Sequence, residues 1–235
     1  MNRLISLEIR RNRLRSYHMA ALICGFTLLV FHYFMAALPL LSPTETDIEM
    51  FSSYEFLFNL NHLSSMVTFG LVGAVMGARF VIEEYSSAKA ILLFSYPISR
   101  REVMGAKLGL VFGYPVVAML LCGIVIGGVF LITENWLPLC ADQLTWETVL
   151  WAFLSCLCHS FLAGAVTLLS IWIGFLKKSI PVTIVAAVIM ATILCQALSA
   201  VYSFRPVLFC LSGVAVIGTA MAVRSMLNQV ENMEV

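Results

Sequence analysis

Charge is what this sequence has least of. Only 11% of its residues are Asp, Glu, Lys or Arg, against 61% that are hydrophobic. Soluble domains carry about 25% charged residues, so an ordinary water-soluble domain is excluded. The phosphate-cradling motif G-x-x-x-x-G-K-[ST] is missing, and no polar segment is long enough to form a nucleotide-binding domain, so this chain does not itself carry that kind of ATPase. Short alternating strands are missing too, which excludes a membrane barrel. The seven cysteines (Cys24, Cys122, Cys140, Cys156, Cys158, Cys195 and Cys210) are odd in number and scattered, so they form no disulfide framework. Cys156 and Cys158 are two apart and project to nearly opposite sides of a helix, so they are no metal pair. We expect no metal site, and a net charge of +1 gives no reason to expect nucleic acid.

What the sequence has instead is long apolar runs. Six exceed the length needed to cross about 30 Å of hydrocarbon at about 1.5 Å per residue. They cover roughly 18–38, 58–80, 108–132, 148–175, 181–202 and 206–225, which predicts an all-α membrane protein, one transmembrane domain over 1–235. Residues 1–16 hold Arg3, Arg10, Arg11, Arg13 and Arg15 and are expected to be a basic interfacial segment. The first apolar run is too long for a signal-peptide core and is kept as an uncleaved span. Pro39 and Pro43 are expected to end it, and Pro115 to kink the third span. Gly73/Gly77, Gly109/Gly113 and Gly123/Gly127 each have GxxxG spacing, which lets helix backbones approach closely.

The basic residues are sorted by side. With six spans, Arg3, Arg10, Arg11, Arg13, Arg15, Arg79, Lys89, Arg100, Arg101, Lys107, Lys177, Lys178 and Arg224 fall on the side of the termini. That is 13 of the 14, with Arg205 alone opposite. Lys and Arg near span ends stay cytoplasmic, so both termini and the segment 83–107 are expected in the cytoplasm, and the protein in the plasma membrane. The opposite loops are acidic, with Glu45, Asp47, Glu49 and Glu55, then Glu134, Asp142 and Glu147.

Segment 83–107, EEYSSAKAILLFSYPISRREVMGAK, is the longest run outside the spans that carries many charges. Ser86 or Ser87 is placed to start a short helix ending near Phe94, and Pro97 to break it. Ser99-Arg100-Arg101-Glu102 fits a capping box at the start of a helix leading into the third span. Such a short helix, fused rigidly to a spanning helix, suits the transmission of displacement. The other reading of the segment is an ordinary loop with interfacial anchors.

Here the chain resembles a known family. Glu84-Tyr85, Leu92-Leu93 and Ser95-Tyr96-Pro97-Ile98-Ser99-Arg100 are similar to the cytoplasmic loop of ABC-2-type permeases, the membrane subunits of ATP-binding-cassette exporters. The sequence departs from the family pattern at Ala88 (usually Gly), Lys89 (usually Thr) and Ile91 (usually Glu). The resemblance implies six spans per subunit and a cytoplasmic coupling helix between spans two and three. It also implies a second permease subunit, alike or different, and separate nucleotide-binding subunits that hold ATP and Mg. No cofactor is expected in this chain. The residues expected to couple to the ATPase are Glu83, Glu84, Tyr85, Leu92, Leu93, Ser95, Tyr96, Pro97, Ser99, Arg100 and Arg101.

The first half of the second span is polar for a lipid-exposed helix. Asn59, Asn61, His62, Ser64 and Ser65 are the candidate lining of a substrate path, with inter-helix hydrogen bonding as the plainer role. The expected substrate is hydrophobic or amphipathic, a peptide, antibiotic or toxin moved out of the cell, and membrane lipid is the chain's other expected partner. A secondary transporter or channel would show mid-span charges and inverted repeats, and neither is evident. A CAAX-type membrane protease would share the Glu83-Glu84 pair, but Ala88 stands where that motif has Arg, and His159 is the only later histidine.

Overall fold

A computed structural model describes residues 14–41, 50–86, 99–202 and 204–231. Within them every regular element is helical. Six helices are long and apolar enough to cross a membrane. They are α1 (Arg15–Leu41), α2 (Tyr54–Gly77), α3 (Arg100–Glu134), α4 (Trp146–Lys177), α5 (Ile180–Ser199) and α6 (Pro206–Glu231). α2 does not stop at Gly77. It continues through a π-helical turn, Ala78–Ile82, into a last α-turn, Glu83–Ser86. The basic segment 1–13, Pro43 and the expected coupling helix over 87–98 lie outside the described residues.

α2 and α4 form the central pair, and the other helices pack around them. Two glycines make this contact possible. A Cβ on Gly73 would lie 2.2 Å from Thr167 Oγ1 and 2.9 Å from Pro115 Cγ. One on Gly77 would lie 2.1 Å from Ile171 Cδ1. Thr167 Oγ1 shares its one proton between the Gly70 carbonyl across this contact, at 3.2 Å, and Ala163 O of its own helix, at 3.0 Å. Small residues thus bring two backbones together where apolar burial alone gives no preference over lipid. The same spacing on α3 has a different use. Among the described residues Gly109 and Gly113 meet nothing within 4 Å, whereas Gly123 faces Cys156 of α4 and Gly127 faces Phe58 of α2. GxxxG marks a surface that allows close approach, and other parts of the fold decide whether a helix takes it.

Several helix ends differ from the sequence expectation. α1 passes through Pro39 to Leu41. A proline there removes only one hydrogen bond near the end of a helix, which membrane helices tolerate. α3 likewise runs unbroken through Pro115, which is buried. α6 continues to Glu231 instead of stopping near Ser225, because Met226 and Val230, four apart, are both buried in the core. Ser99 and Ser179 occupy the N-cap positions of α3 and α5, but neither side chain makes the capping bond. The expected Ser99–Glu102 box is therefore not formed. The helix start is set by backbone bonds, with the Glu102 and Val103 amides donating to Ser99 O. α4 ends on Lys178 in the left-handed region (φ 48°), with the Ser179 amide donating to Gly174 O at 3.1 Å. That closure makes the turn into α5 two residues long, Lys178 and Ser179.

Candidate functional site

Two ion-pair groups hold the bundle at opposite ends of α2, with unpaired polar side chains between them. At the first end the charged segment is less of a loop than its composition suggests. Glu83, Glu84 and Tyr85 form the last turn of the second spanning helix, and Arg100, Arg101 and Lys107 belong to α3. α3 has 35 residues, about 52 Å at the α-helical rise, while the hydrocarbon is about 30 Å thick. Its first turns therefore have length to spare beyond the bilayer.

Lys107 is fully buried, and its Nζ lies 2.6 Å from Glu84 Oε2, whose side chain is only 12% exposed. The π-turn just before Glu84 shifts the helical register, so the final turn presents different residues to α3 from those an unbroken α-helix would present. The Tyr85 ring packs edge-on to Phe175 at 5.9 Å. Around the pair lies an apolar cluster that includes Phe80, Ile82, Met104, Phe175, Met226 and Val230. A buried charge pair of this kind resists separation, because removing one partner leaves the other uncompensated in a low-dielectric setting. Arg101 meets Glu231 at 3.5 Å, with both side chains more than half exposed, and this contributes little. Arg100 is half-buried and Ser99 exposed. Leu92, Leu93, Ser95, Tyr96 and Pro97 lie outside the described residues.

At the far end Arg205, in the turn between α5 and α6, acts as a clasp. Its Nε donates to Glu55 Oε1 at 3.1 Å and its Nη2 to Glu55 Oε2 at 3.2 Å, a bidentate pair onto the first turn of α2. Its Nη1 reaches Glu147 Oε1 at the start of α4, at 3.4 Å. The guanidinium sits 4.8 Å from the centre of the Trp151 ring. Hydrogen bonding to Glu55 raises its pKa above the ordinary arginine value. The one basic residue on this side thus gathers two acidic ones. Nearby, Glu134 Oε1 accepts from the Leu139 and Cys140 amides at 2.8 and 2.7 Å and shapes the loop after α3. Burial, and then the Glu134 charge, push the Cys140 thiol up to about 12.

Between these ends lies the polar run of α2. Asn61, His62 and Ser65 are buried. Both polar side-chain atoms of Asn61, Nδ1 of His62, Oγ of Ser65 and Oδ1 of Asn59 have no hydrogen-bond partner among the described residues. Ser64 differs, because its hydroxyl turns back to the Leu60 carbonyl at 2.9 Å. The structure adds residues that sequence reasoning did not place with this group. His159 of α4 lies 5.8 Å from His62, ring to ring, with its Nδ1 2.8 Å from Ser155 O and its Nε2 unpartnered. His32 of α1 packs between Phe130 (4.5 Å) and Phe58 (6.1 Å), also with an unpartnered Nε2. All three histidines are interior residues on separate spans. Their being ionisable at membrane depth was the one sequence signal that pointed to them. A space of about 10 Å³ under the clasp is lined by Glu55, Asn59, His62, Trp151 and Ser155. A cavity of about 160 Å³ opens beside it, between α2, α3 and α4.

The two parts of the protease reading lie far apart. His62 and Glu84 are 22 positions apart on one continuous helix, about 33 Å along its axis. His159 lies beside His62, so no histidine of that cluster reaches Glu83 or Glu84 and the protease constellation cannot assemble. Among the described residues no three His, Cys, Asp or Glu side chains are grouped as metal ligands.

Comparison with known proteins agrees with the six-helix layout. The family described as "ABC-2 family transporter protein" matches residues 4–194. The chain is also similar to an uncharacterized protein, YcbO, of Bacillus subtilis (strain 168). The two are 26% identical over 191 residues, covering 81% of this chain and 82% of that protein. No solved structure matches.

Proposed function

The chain belongs to the ABC-2 family of transporter proteins, and from that premise we propose that it is the permease subunit of an exporter driven by a separate ATP-binding subunit. Family membership and six apolar helices make it a multi-pass membrane protein and a transporter subunit, not itself a catalyst. The family also implies an ATP-binding partner. The finer reading is that two such chains, alike or different, work with two ATPases in the plasma membrane, with both termini cytoplasmic. ATP and Mg are held by the ATPases. The ATPase docks on the segment from Glu83 to Arg101, through Glu83, Glu84, Tyr85, Leu92, Leu93, Ser95, Tyr96, Pro97, Ser99, Arg100 and Arg101.

The observation that carries this reading is the buried Glu84–Lys107 pair. It ties together the two helices that enter and leave 87–98, so a push on that segment moves α2 and α3 as one body. The path follows the polar run of α2 (Asn59, Asn61, His62, Ser64 and Ser65) toward the Arg205 clasp, which opens to release substrate. The unpartnered polar atoms in that run support the path. The substrate is amphipathic or hydrophobic, and a peptide, antibiotic or toxin fits such a lining.

The test is affinity purification of the tagged chain from its native membranes, scored for ATP hydrolysis in the eluate. Wild type is expected to carry an ATPase, and Leu92→Asp with Arg100→Glu to lose it. Unchanged hydrolysis in the eluate of the double variant would remove the docking role.

A further inference from the structure

We infer that the cavity between α2, α3 and α4 is a binding pocket for one apolar group of an amphipathic molecule, whose neighbouring polar atom hydrogen-bonds to His62. The inference rests on the exporter reading and gives its substrate a first point of contact. The cavity has a volume of about 160 Å³ and is lined by Phe58, His62, Gly123, Gly127, Ala152 and Cys156, among others. Engineered apolar cavities of about 150 Å³ stay dry and take up benzene. The room here therefore suits one aromatic ring or one branched aliphatic side chain.

The walls explain how the space persists. A Cβ on Gly123 would fall 2.6 Å from Cys156 Sγ, so α3 and α4 are in close contact there. One turn further along, Gly127 leaves a gap. A Cβ on it would sit 3.6 Å from Phe58 Cε1, at ordinary contact distance. Ile124 and Phe153, also on the lining, are 47% and 50% exposed on the lipid-facing surface. Entry from the bilayer thus passes between side chains and requires no backbone to open.

A second, independent observation selects the occupant. His62 is only 4% exposed and lines both the cavity and the small space beneath the clasp. Its Nδ1 has no hydrogen-bond partner among the described residues and carries no accessible surface of its own, so a ligand in the cavity reaches it by a turn of the imidazole about χ2. His62 lies eight positions into α2, about 12 Å along the axis. A lipid tail at such a depth offers only CH₂ groups, which would fill the cavity and leave the nitrogen unpaired. A molecule that carries an amide or hydroxyl beside its apolar group satisfies both, so the occupant is cargo and not bilayer lipid.

The experiment uses the full chain in phosphatidylcholine vesicles and a benzene-sized photolabel, 3-(trifluoromethyl)-3-phenyldiazirine, with labelled residues mapped by mass spectrometry. Label is expected on Phe58, Ala152 or Cys156 as well as on the lipid-exposed Ile193 and Val214. Gly127→Leu, which projects into the gap, is expected to lose the cavity labels and keep those at Ile193 and Val214. Ala152→Leu fills the same space from α4 and serves if the first variant does not fold. N-acetylphenylalanine amide should protect the cavity in wild type but not in His62→Phe, and dodecane should protect neither. Absence of cavity label in wild type overturns the proposal. Equal protection by dodecane, unaffected by His62→Phe, overturns it in favour of an acyl-chain site. The readout needs neither ATP nor a partner, so its failure is distinct from a failure of the ATPase docking test.

Discussion

The two ends of α2 solve the same problem differently. At one, Glu84 and Lys107 are buried together in an apolar cluster, with no exposure at the lysine. At the other, Arg205 holds Glu55 and Glu147 while 41% exposed, and Glu147 is 82% exposed. A buried pair is hard to part, because each charge left alone keeps its full desolvation cost. An exposed pair is cheap to part, because water takes over from the lost partner. The difference teaches which end holds and which end can open. Under the proposed function, a push received at 87–98 would pass toward the clasp through a bundle held at the Glu84–Lys107 end and lightly clasped at Arg205.

Breaking the held end is expected to have the largest effect. Glu84→Ala should destabilise the chain by about 3–5 kcal/mol, since it removes the carboxylate that lies 2.6 Å from the buried Lys107 ammonium, read as a lowered unfolding midpoint in detergent. Glu84→Leu with Lys107→Met should recover most of that loss, because an apolar pair of similar volume needs no compensation. If Glu84→Ala were neutral, the pair would not hold this end. Crowding the contact midway between the ends ranks next. Gly73→Leu should cost about 1–3 kcal/mol by overpacking against Thr167 and Pro115. Gly109→Leu, which meets nothing within 4 Å, should be far milder in the same assay, and equal losses would contradict the packing described.

Loosening the clasp is expected to do less to stability. Arg205→Ala should change it by about 0–1 kcal/mol at the exposures seen, and the wild-type contribution should fade in about 1 M salt, where the Debye length shrinks to about 3 Å. A loss as large as that of Glu84→Ala would erase the contrast between the ends. The smallest effect is at Cys140, whose thiol stays protonated at pH 8 because its pKa is pushed up to about 12 by burial and then by Glu134. Maleimide labelling there should be slow in the folded chain. Glu134→Gln should speed it by lowering that pKa, and an unchanged rate would exclude the carboxylate as a cause.

The spans were legible because each exceeds what a bilayer needs. Their ends were not, for a physical reason. Glu83 and Glu84 look like loop residues when charge is read locally, whereas the helix that begins at Arg100 and leads into the third span was readable from Ser99 onward. The neutralising partner of Lys107 is 23 positions away across a helical hairpin, and local composition does not register such a pairing. The polar cluster was half legible. Asn59, Asn61, His62 and Ser65 form one run on α2, whereas His32 and His159 join them only through packing. Arg205 stood out as the lone basic residue on its side, but its grip on Glu55 across 150 positions belongs to the fold. Gly73/Gly77 and Gly109/Gly113 carry the same motif, and among the described residues only the first pair is met by another helix. Spacing states what a surface permits and is silent on what arrives.

The most direct measurement follows both ends at once. Spin labels would be placed as Arg79→Cys with Glu102→Cys at the held end, and as Gln143→Cys with Phe204→Cys at the clasp, in a chain whose seven native cysteines are replaced. Distances would be read by electron paramagnetic resonance in the purified complex, before and after ATP. The account predicts that the clasp distance lengthens and the held-end distance stays fixed. A held end that separates while the clasp stays closed would contradict it.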